Sequence, residues 1–185
     1  MGPLGEPGPG VLVAAASASR AFFPTAANPT TGLSPDYAQF DGTPDAILGH
    51  GDFRFDAHRV ASNVALDHLW FLADPGEVEQ SDRLLTFFHA RKAAEGGSYS
   101  NQYRLAGSPI GSPHGAGLTA MNAAAALAAS EDGLRTEFVQ DLWNAATPTG
   151  TYRYYDGMLY LLGLLEVSGN FRVYHPAGGP VTACQ

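Results

Sequence analysis

The strongest constraint on the fold is a pair of helix-length runs that have almost no polar side. The run "DGMLYLLGLLEV" covers residues 156–167, and residues 118–129 are mostly Ala, with Leu and Met. A helix that is apolar nearly all round has to be buried by its neighbours. The small side chains of residues 118–129 also let neighbouring helices approach closely. The sequence therefore predicts an all-α protein with buried central helices.

Four further segments have helical patterns, separated by residues that favour turns. "DPG" at residues 74–76 ends one helix, and Gly169 stands where a C-cap glycine is expected. Loops as long as residues 28–45 and 95–117 are often functional. The predicted helices cover residues 11–23, 53–73, 78–95, 118–129, 134–145 and 156–167. The remaining segments are interpreted as a flexible Gly/Pro-rich arm at residues 1–10, a short strand at 170–176 and a tail at 176–185.

Composition and charge argue against several classes of function. The net charge is -8 and the ten basic residues are scattered, which disfavours nucleic acid and anionic membranes as partners. We expect no membrane span, because no apolar run reaches about 18 residues. The single Cys184 and the spacing of the histidines predict no metal site, and no cofactor is expected. The start "MGPLGEPGPG" has no Lys or Arg, so a cytoplasmic location is favoured over secretion.

The stretch "GDFRFDAHRVASNVALDHLWF", residues 51–71, carries a narrow polar stripe on a mostly apolar helix. At 100° per residue, Asp56, Arg59, Asn63 and Asp67 fall on one narrow sector of the helix. Such a stripe predicts a helix that neighbours bury and whose polar edge lines a cavity. Asp56 and Arg59 are three residues apart and can pair. Spacing alone leaves two interpretations open, an internal salt bridge and a functional site.

Several segments together resemble a known family. "RAFFPTAANPTTGLSPDYAQFDGTP", "DFRFDAHRVASNVALDHLWF", "GLTAMNAAAALAAS" and "YRYYDGMLYLLGLLEVSGNFRVY" resemble glycoside hydrolase family 8, most of all its reducing-end xylose-releasing exo-oligoxylanases. The resemblance implies an (α/α)6 barrel of twelve helices. Residues 11–175 would then be the C-terminal half of the catalytic domain, a partial barrel with about six of the twelve helices.

The resemblance also implies an activity and its residues. Family members hydrolyse β-1,4 glycosidic bonds with inversion, and this branch releases xylose from the reducing end of xylo-oligosaccharides. Asp56, in the "DAxR" motif, would be the general base, and Arg59 would hold the active-site carboxylates in place. His114 would help to close the site beyond the reducing-end sugar. Tyr154 and Tyr155 fall where the family places tyrosines near the cleaved bond.

The general acid of the family has no counterpart at the expected place. It is a glutamate far upstream of the "DAxR" aspartate, and nothing similar precedes Asp56. The segment "AEGGSYS", residues 94–100, superficially resembles the motif around that glutamate, but it follows Asp56 in the chain. We therefore interpret the similarity as coincidence. We therefore expect an inefficient hydrolase, and self-association through the faces that missing helices would cover. Two alternatives stay open: an endo-β-1,4-glucanase or xylanase of the same family, and a non-catalytic helical sugar-binding remnant.

Aromatic residues outside these motifs divide into two groups. Tyr37 and Phe40 lie in the Pro/Gly-rich loop "SPDYAQFDGTP", where an aromatic ring can stack on a sugar, and Tyr37 is kept as a substrate-binding candidate. Trp70 and Trp143 lie in apolar helical runs and are predicted to belong to the core.

Overall fold

A computed structural model describes residues 9–112 and 115–173 of the chain. Isolated β-bridges are the only strand-like pairing in this part, so the all-α prediction is confirmed. Residues 170–173 are not a strand, and the rest of the predicted strand lies outside the described residues. The six α-helices are α1 (Pro9–Ala26), α2 (His58–Phe71), α3 (Gly76–Ala94), α4 (Ala116–Ala125), α5 (Asp132–Asn144) and α6 (Arg153–Val167), with two short 3₁₀ turns at Ile47–Gly49 and Phe55–Ala57.

Two helix ends, the termini of α3 and the C-terminus of α6, follow the expected chemistry of helix ends. α3 carries Glu77 and Glu79 in its first turn and Arg91 and Lys92 in its last, which complements the helix dipole. Gly169 follows the C-cap residue of α6, Ser168, and adopts a φ of 70°, in the left-handed region that glycine tolerates. α1 begins at Pro9, inside the predicted arm, and residues 1–8 and 174–185 lie outside the described residues.

The helices α2, α4 and α6 form an inner layer and run in the same direction. Near their starts, Tyr155 of α6 donates a hydrogen bond to the carbonyl oxygen of Phe55, just before α2. Further along both helices, the Ser62 hydroxyl donates to Glu166 at 2.9 Å. α4 packs against both α2 and α6, while α3 and α5 cover it from outside. The alternation of inner and outer helices is that of a partial (α/α)6 barrel.

Small residues bring α4 and α6 into close contact. A Cβ atom placed on Gly163 of α6 would lie 2.8 Å from Ala120 Cβ and 2.9 Å from Ala120 O. Ala120 itself is fully buried. The prediction that the Ala-rich helix would allow a close approach is therefore confirmed at this crossing. α4 ends at Ala125, four residues before the predicted boundary.

The long loop between α3 and α4 is anchored to the rest of the chain by Tyr103 and by a hydrogen bond from His58. Tyr103 is fully buried, and its N–H and C=O exchange hydrogen bonds of 3.0 and 2.9 Å with Phe53. His58, at the start of α2, donates from Nε2 to the carbonyl oxygen of Asn101 at 3.0 Å. Burial lowers the pKa of His58 to about 4, so its imidazole is neutral and structural at neutral pH. The loop is thus tied to the beginning of α2.

The helix α1 is mostly exposed and is held to α2 by one arginine. Arg20 donates from Nε and Nη2 to the two carboxylate oxygens of Asp67, at 2.6 and 2.8 Å. Asp67, the last residue of the polar stripe, therefore pairs with a neighbouring helix, which is one of the two interpretations that spacing left open. Val11 and Val13 of α1 are exposed. Self-association through the faces that missing helices would cover stays a prediction.

A second carboxyl group lies against this ion pair. Glu77 is buried beside Asp67, with Oε1 3.9 Å from Arg20 Nε. Burial, followed by a hydrogen bond with Asp67, raises the pKa of Glu77 from its ordinary value of 4.5 to about 8. Glu77 is therefore a neutral acid at neutral pH, and Asp67 carries the charge that pairs with Arg20.

This raised pKa predicts a pH-dependent stability that Glu77→Gln removes. Because the folded state holds the proton more tightly than the unfolded state, the stabilisation by Glu77 is full below its unfolded pKa and is lost as the pH rises through about 8. Asp67 stays ionised over that pH range, so it adds no pH dependence to the free energy of unfolding. Between about pH 6 and about pH 9, the free energy of unfolding of the wild type should fall by on the order of 3 kcal/mol more than that of Glu77→Gln. Urea unfolding of both proteins measures the difference, and equal losses would contradict the raised pKa.

Candidate active site

The candidate site lies where the inner helices begin. Just before α2, Phe55 adopts a φ of 40°, in the left-handed region that residues with a side chain rarely occupy. This bend turns the chain into the short 3₁₀ turn Phe55–Ala57, which carries Asp56. Such strain persists only where the surroundings hold it in place.

The peptide bond between Phe55 and Asp56 is held at both ends. Its carbonyl oxygen accepts a hydrogen bond of 2.6 Å from the Tyr155 hydroxyl of α6. Its N–H donates to Asp36 Oδ1 at 2.8 Å, across to the loop that follows α1. Two segments far apart in sequence therefore fix the backbone from which the Asp56 side chain projects.

Asp56 and Arg59 form the ion pair that their spacing predicts. Arg59 Nη2 lies 2.8 Å from Asp56 Oδ1. The Asp56 and Arg59 side chains are 50% and 51% exposed, so in the part of the chain that the structure describes this polar edge faces solvent and does not line a closed cavity. The neighbours of α2 pack against its apolar faces and leave this edge open to solvent. Water and a soluble substrate can therefore reach the Asp56 carboxylate.

Asp36 lies behind this carboxylate, and only 1% of its side chain is exposed. Its Oδ2 accepts a hydrogen bond from His50 Nδ1, while its Oδ1 accepts the Asp56 N–H. The His50 ring stacks on Tyr37 with centroids 4.2 Å apart and planes at 9°. The structure thus brings the predicted Tyr37 close to Asp56 through His50 and Asp36. Sequence reasoning missed Asp36 and His50, although a carboxylate beside Tyr37 in a long loop was an available signal.

The predicted tyrosines of α6 differ in their surroundings. The Tyr155 hydroxyl donates a hydrogen bond to the carbonyl oxygen of Phe55. Burial raises the pKa of Tyr155 to about 12, and the negative charge of Asp56 is the second cause. Tyr154 is 81% exposed and lies one residue, or about 100°, away around the helix. Their substrate-binding role stays a prediction. The predicted His114 lies outside the described residues.

The start of α4 is joined to α6 beside this site. Asp156 of α6 accepts a hydrogen bond from the Gly117 N–H in the first turn of α4, while burial raises the pKa of the carboxyl. A Cβ atom on Gly115 would lie 2.8 Å from Asp156 Oδ2, and one on Gly117 would lie 2.6 Å from Oδ1. Both glycines therefore make room for a carboxyl group that satisfies the helix start.

The tryptophan predictions were not confirmed. Trp143 is 75% exposed at the end of α5, and Trp70 is exposed while stacking on Phe171 with centroids 5.8 Å apart. Phe40 is fully exposed in its loop.

Within residues 9–112 and 115–173, no three His, Cys, Asp or Glu side chains form a group that could hold a metal ion. Across the same part of the chain, no helix is both long enough and apolar enough to cross a membrane.

Comparison with known proteins identifies a family and several relatives. The model of glycosyl hydrolases family 8 matches residues 12–169. The reducing-end xylose-releasing exo-oligoxylanase Rex8A of Paenibacillus barcinonensis is 48% identical over 166 residues, which cover 86% of this chain and 42% of the relative. Endoglucanase A of Acetivibrio thermocellus is 34% identical over 147 residues, covering 78% of this chain and 29% of that protein.

A solved structure supports the same fold. The xylobiose complex of a family 8 protein from Teredinibacter turnerae superposes with a TM-score of 0.81 at 43% identity, covering 86% of this chain and 40% of that structure. The chain therefore spans less than half the length of the relatives that it matches.

Proposed function

This chain belongs to glycosyl hydrolase family 8, and from that premise we propose that it supplies the water-activating part of an inverting site for β-1,4-linked xylo-oligosaccharides. The observation that carries the proposal is the solvent-accessible pair of Asp56 and Arg59, whose backbone Asp36 and Tyr155 hold in place. The exo-oligoxylanase relatives support xylo-oligosaccharides as the substrate class.

Inversion needs two carboxyl groups with different roles. One carboxylate takes a proton from the water that attacks the anomeric carbon, and a carboxylic acid protonates the oxygen that leaves as the glycosidic bond breaks. Asp56 suits the first role, since it is accessible and its position is fixed. Arg59 would keep the carboxylate oriented through the 2.8 Å contact to Oδ1.

The neighbouring Asp36 does not suit the role of general acid. Its side chain is buried, and its two oxygens accept hydrogen bonds from Asp56 N–H and from His50. We therefore place the general acid in the part of a family 8 domain that this chain does not cover. Release of xylose from the reducing end is proposed for the whole domain, with His114 as the predicted closing residue.

The first test uses a substrate whose leaving group needs no proton. In β-xylobiosyl fluoride, fluoride leaves as an anion, so a site with only the base should act on it. We expect the purified chain to release fluoride and to form α-xylobiose first, as inversion requires. Turnover of xylotriose should be about 10³-fold slower, because its sugar leaving group depends on a general acid. A fluoride electrode and proton NMR of the fresh product measure the two results.

The outcomes separate the competing functions. Efficient release of xylose from xylotriose would show that the chain contains the general acid. Fluoride release no faster than in buffer would favour the non-catalytic sugar-binding remnant. β-Cellobiosyl fluoride, which differs by a hydroxymethyl group on each ring, is the matched control. A preference for it would favour the endoglucanase alternative, which the 34% identity to Endoglucanase A keeps open.

A further inference from the structure

The buried carboxyl group of Asp36 accepts hydrogen bonds from two protein groups. Burying a carboxylate is costly unless donors compensate for the lost water. Here the donors are the Asp56 N–H, at 2.8 Å from Oδ1, and His50 Nδ1 on Oδ2. The backbone of the same segment adds hydrogen bonds of 2.9 Å from the Asp36 N–H to Asp52 O and from the Tyr37 N–H to His50 O. The loop therefore presents one carboxyl oxygen, in one orientation, to one backbone amide.

That amide belongs to the peptide bond that aims Asp56. Phe55 has a positive φ, and the peptide after it would be free to rotate if it lacked partners. Rotation would change the direction of the Cα–Cβ bond of Asp56 and would break the contacts to Asp36 and Tyr155 together. A displacement of about 1 Å at a reacting group can cost about 10²-fold in rate.

We infer that Asp36, supported by His50, is a positioning residue that fixes the direction of Asp56 through the peptide bond between Phe55 and Asp56. The inference rests on the proposed role of Asp56 as the base. His50 acts one step further back, since its hydrogen bond and its stack on Tyr37 set the orientation of the Asp36 carboxylate.

The conservative variant separates positioning from charge. In Asp36→Asn the amide oxygen can still accept the Asp56 N–H. His50 can accept from the new NH₂ group by moving its own proton to Nε2, because neutral imidazole has two tautomers. Asp36→Ala removes both contacts. His50→Phe keeps an aromatic ring on Tyr37 but leaves Asp36 with the Asp56 amide alone. Asp52→Asn, in the same loop, is the matched control.

The first readout needs no catalysis. In wild type we expect the Asp56 amide to exchange slowly with solvent and its side chain to show a single χ1 rotamer by NMR couplings. Asp36→Ala should speed exchange at Asp56 by about tenfold or more, since the protecting hydrogen bond is lost. It should also average the χ1 couplings. Asp36→Asn and Asp52→Asn should keep the wild-type exchange rate and χ1 couplings. His50→Phe should give values between those of wild type and those of Asp36→Ala.

The second readout is the hydrolysis of β-xylobiosyl fluoride. Asp36→Ala should lower kcat by about 10²-fold while KM stays close to that of wild type, and Asp36→Asn should restore most of kcat. An unchanged kcat in Asp36→Ala, or an Asp36→Asn variant as slow as Asp36→Ala, would overturn the positioning role. If Asp36→Ala does not fold, the kcat of His50→Phe is compared with that of wild type in its place.

The proposed function and this inference fail in different ways. If the wild type releases no fluoride, the proposed function fails. The positioning of Asp56 is then decided by the NMR readout alone, and unchanged χ1 couplings in Asp36→Ala would overturn it.

Discussion

Asp56→Asn is expected to lower kcat for β-xylobiosyl fluoride by about 10³-fold or more, because an amide cannot take the proton of the attacking water. Asn has nearly the same shape as Asp, and its carbonyl oxygen can keep the contact that Arg59 makes with Oδ1. KM should therefore change little. Fluoride release by the two purified proteins, at several substrate concentrations, measures both constants.

Azide gives this prediction its control. Azide is a nucleophile that carries no proton to remove, so it should restore fluoride release by Asp56→Asn and yield α-xylobiosyl azide. Asp45→Asn, a carboxylate of the preceding loop that bonds to Gln39 and to the Ile47 N–H, should retain wild-type activity. An Asp56→Asn variant within tenfold of the wild type would show that the base lies elsewhere.

Gly163→Val is expected to destabilise the chain by about 3 kcal/mol through overpacking between α4 and α6. The first added atom would already lie 2.9 Å from Ala120 O, a backbone atom that moves only if α4 moves. Valine then adds two methyl groups in the same space. Thermal unfolding should show a loss in Tm of several degrees.

Gly157→Val is the matched control in the same helix. A Cβ atom on Gly157 meets nothing within 4 Å. The free energy of unfolding of Gly157→Val should therefore stay within about 0.5 kcal/mol of the wild-type value, because only the helix propensity of the residue changes. Similar Tm values for the two variants would contradict the close contact between α4 and α6.

The sequence predicted the inner helices because their environment leaves a local pattern. Residues 156–167 are apolar on nearly every side, and the Ala-rich helix has side chains small enough for a close crossing, so both properties follow from composition. The end of α4 was placed too late because a run of alanines continues past Ala125 without a stop signal. Trp143 was misassigned because an apolar run does not show which of its faces a neighbour will cover.

The candidate site was predictable only in part. The pairing of Asp56 with Arg59 follows from a spacing of three residues on a helix. The exposure of that pair depends on which elements pack around α2, and local spacing does not encode this. Asp36 is 20 residues from Asp56, and Tyr155 is 100 residues from Phe55. Contacts over such distances depend on how the loop and α6 are folded.

The common direction of α2, α4 and α6 has an electrostatic consequence. Each helix carries the equivalent of about half a positive charge at its N-terminus, and these three N-termini lie at the end of the layer where Asp56 and Asp36 stand. The backbone alone therefore produces a positive field at the place where two aspartates gather, in a chain of net charge -8. Such a field offsets the repulsion between the carboxylates. It would also attract electron-rich groups of a neutral sugar, in addition to the positive charge that Arg59 supplies at this point.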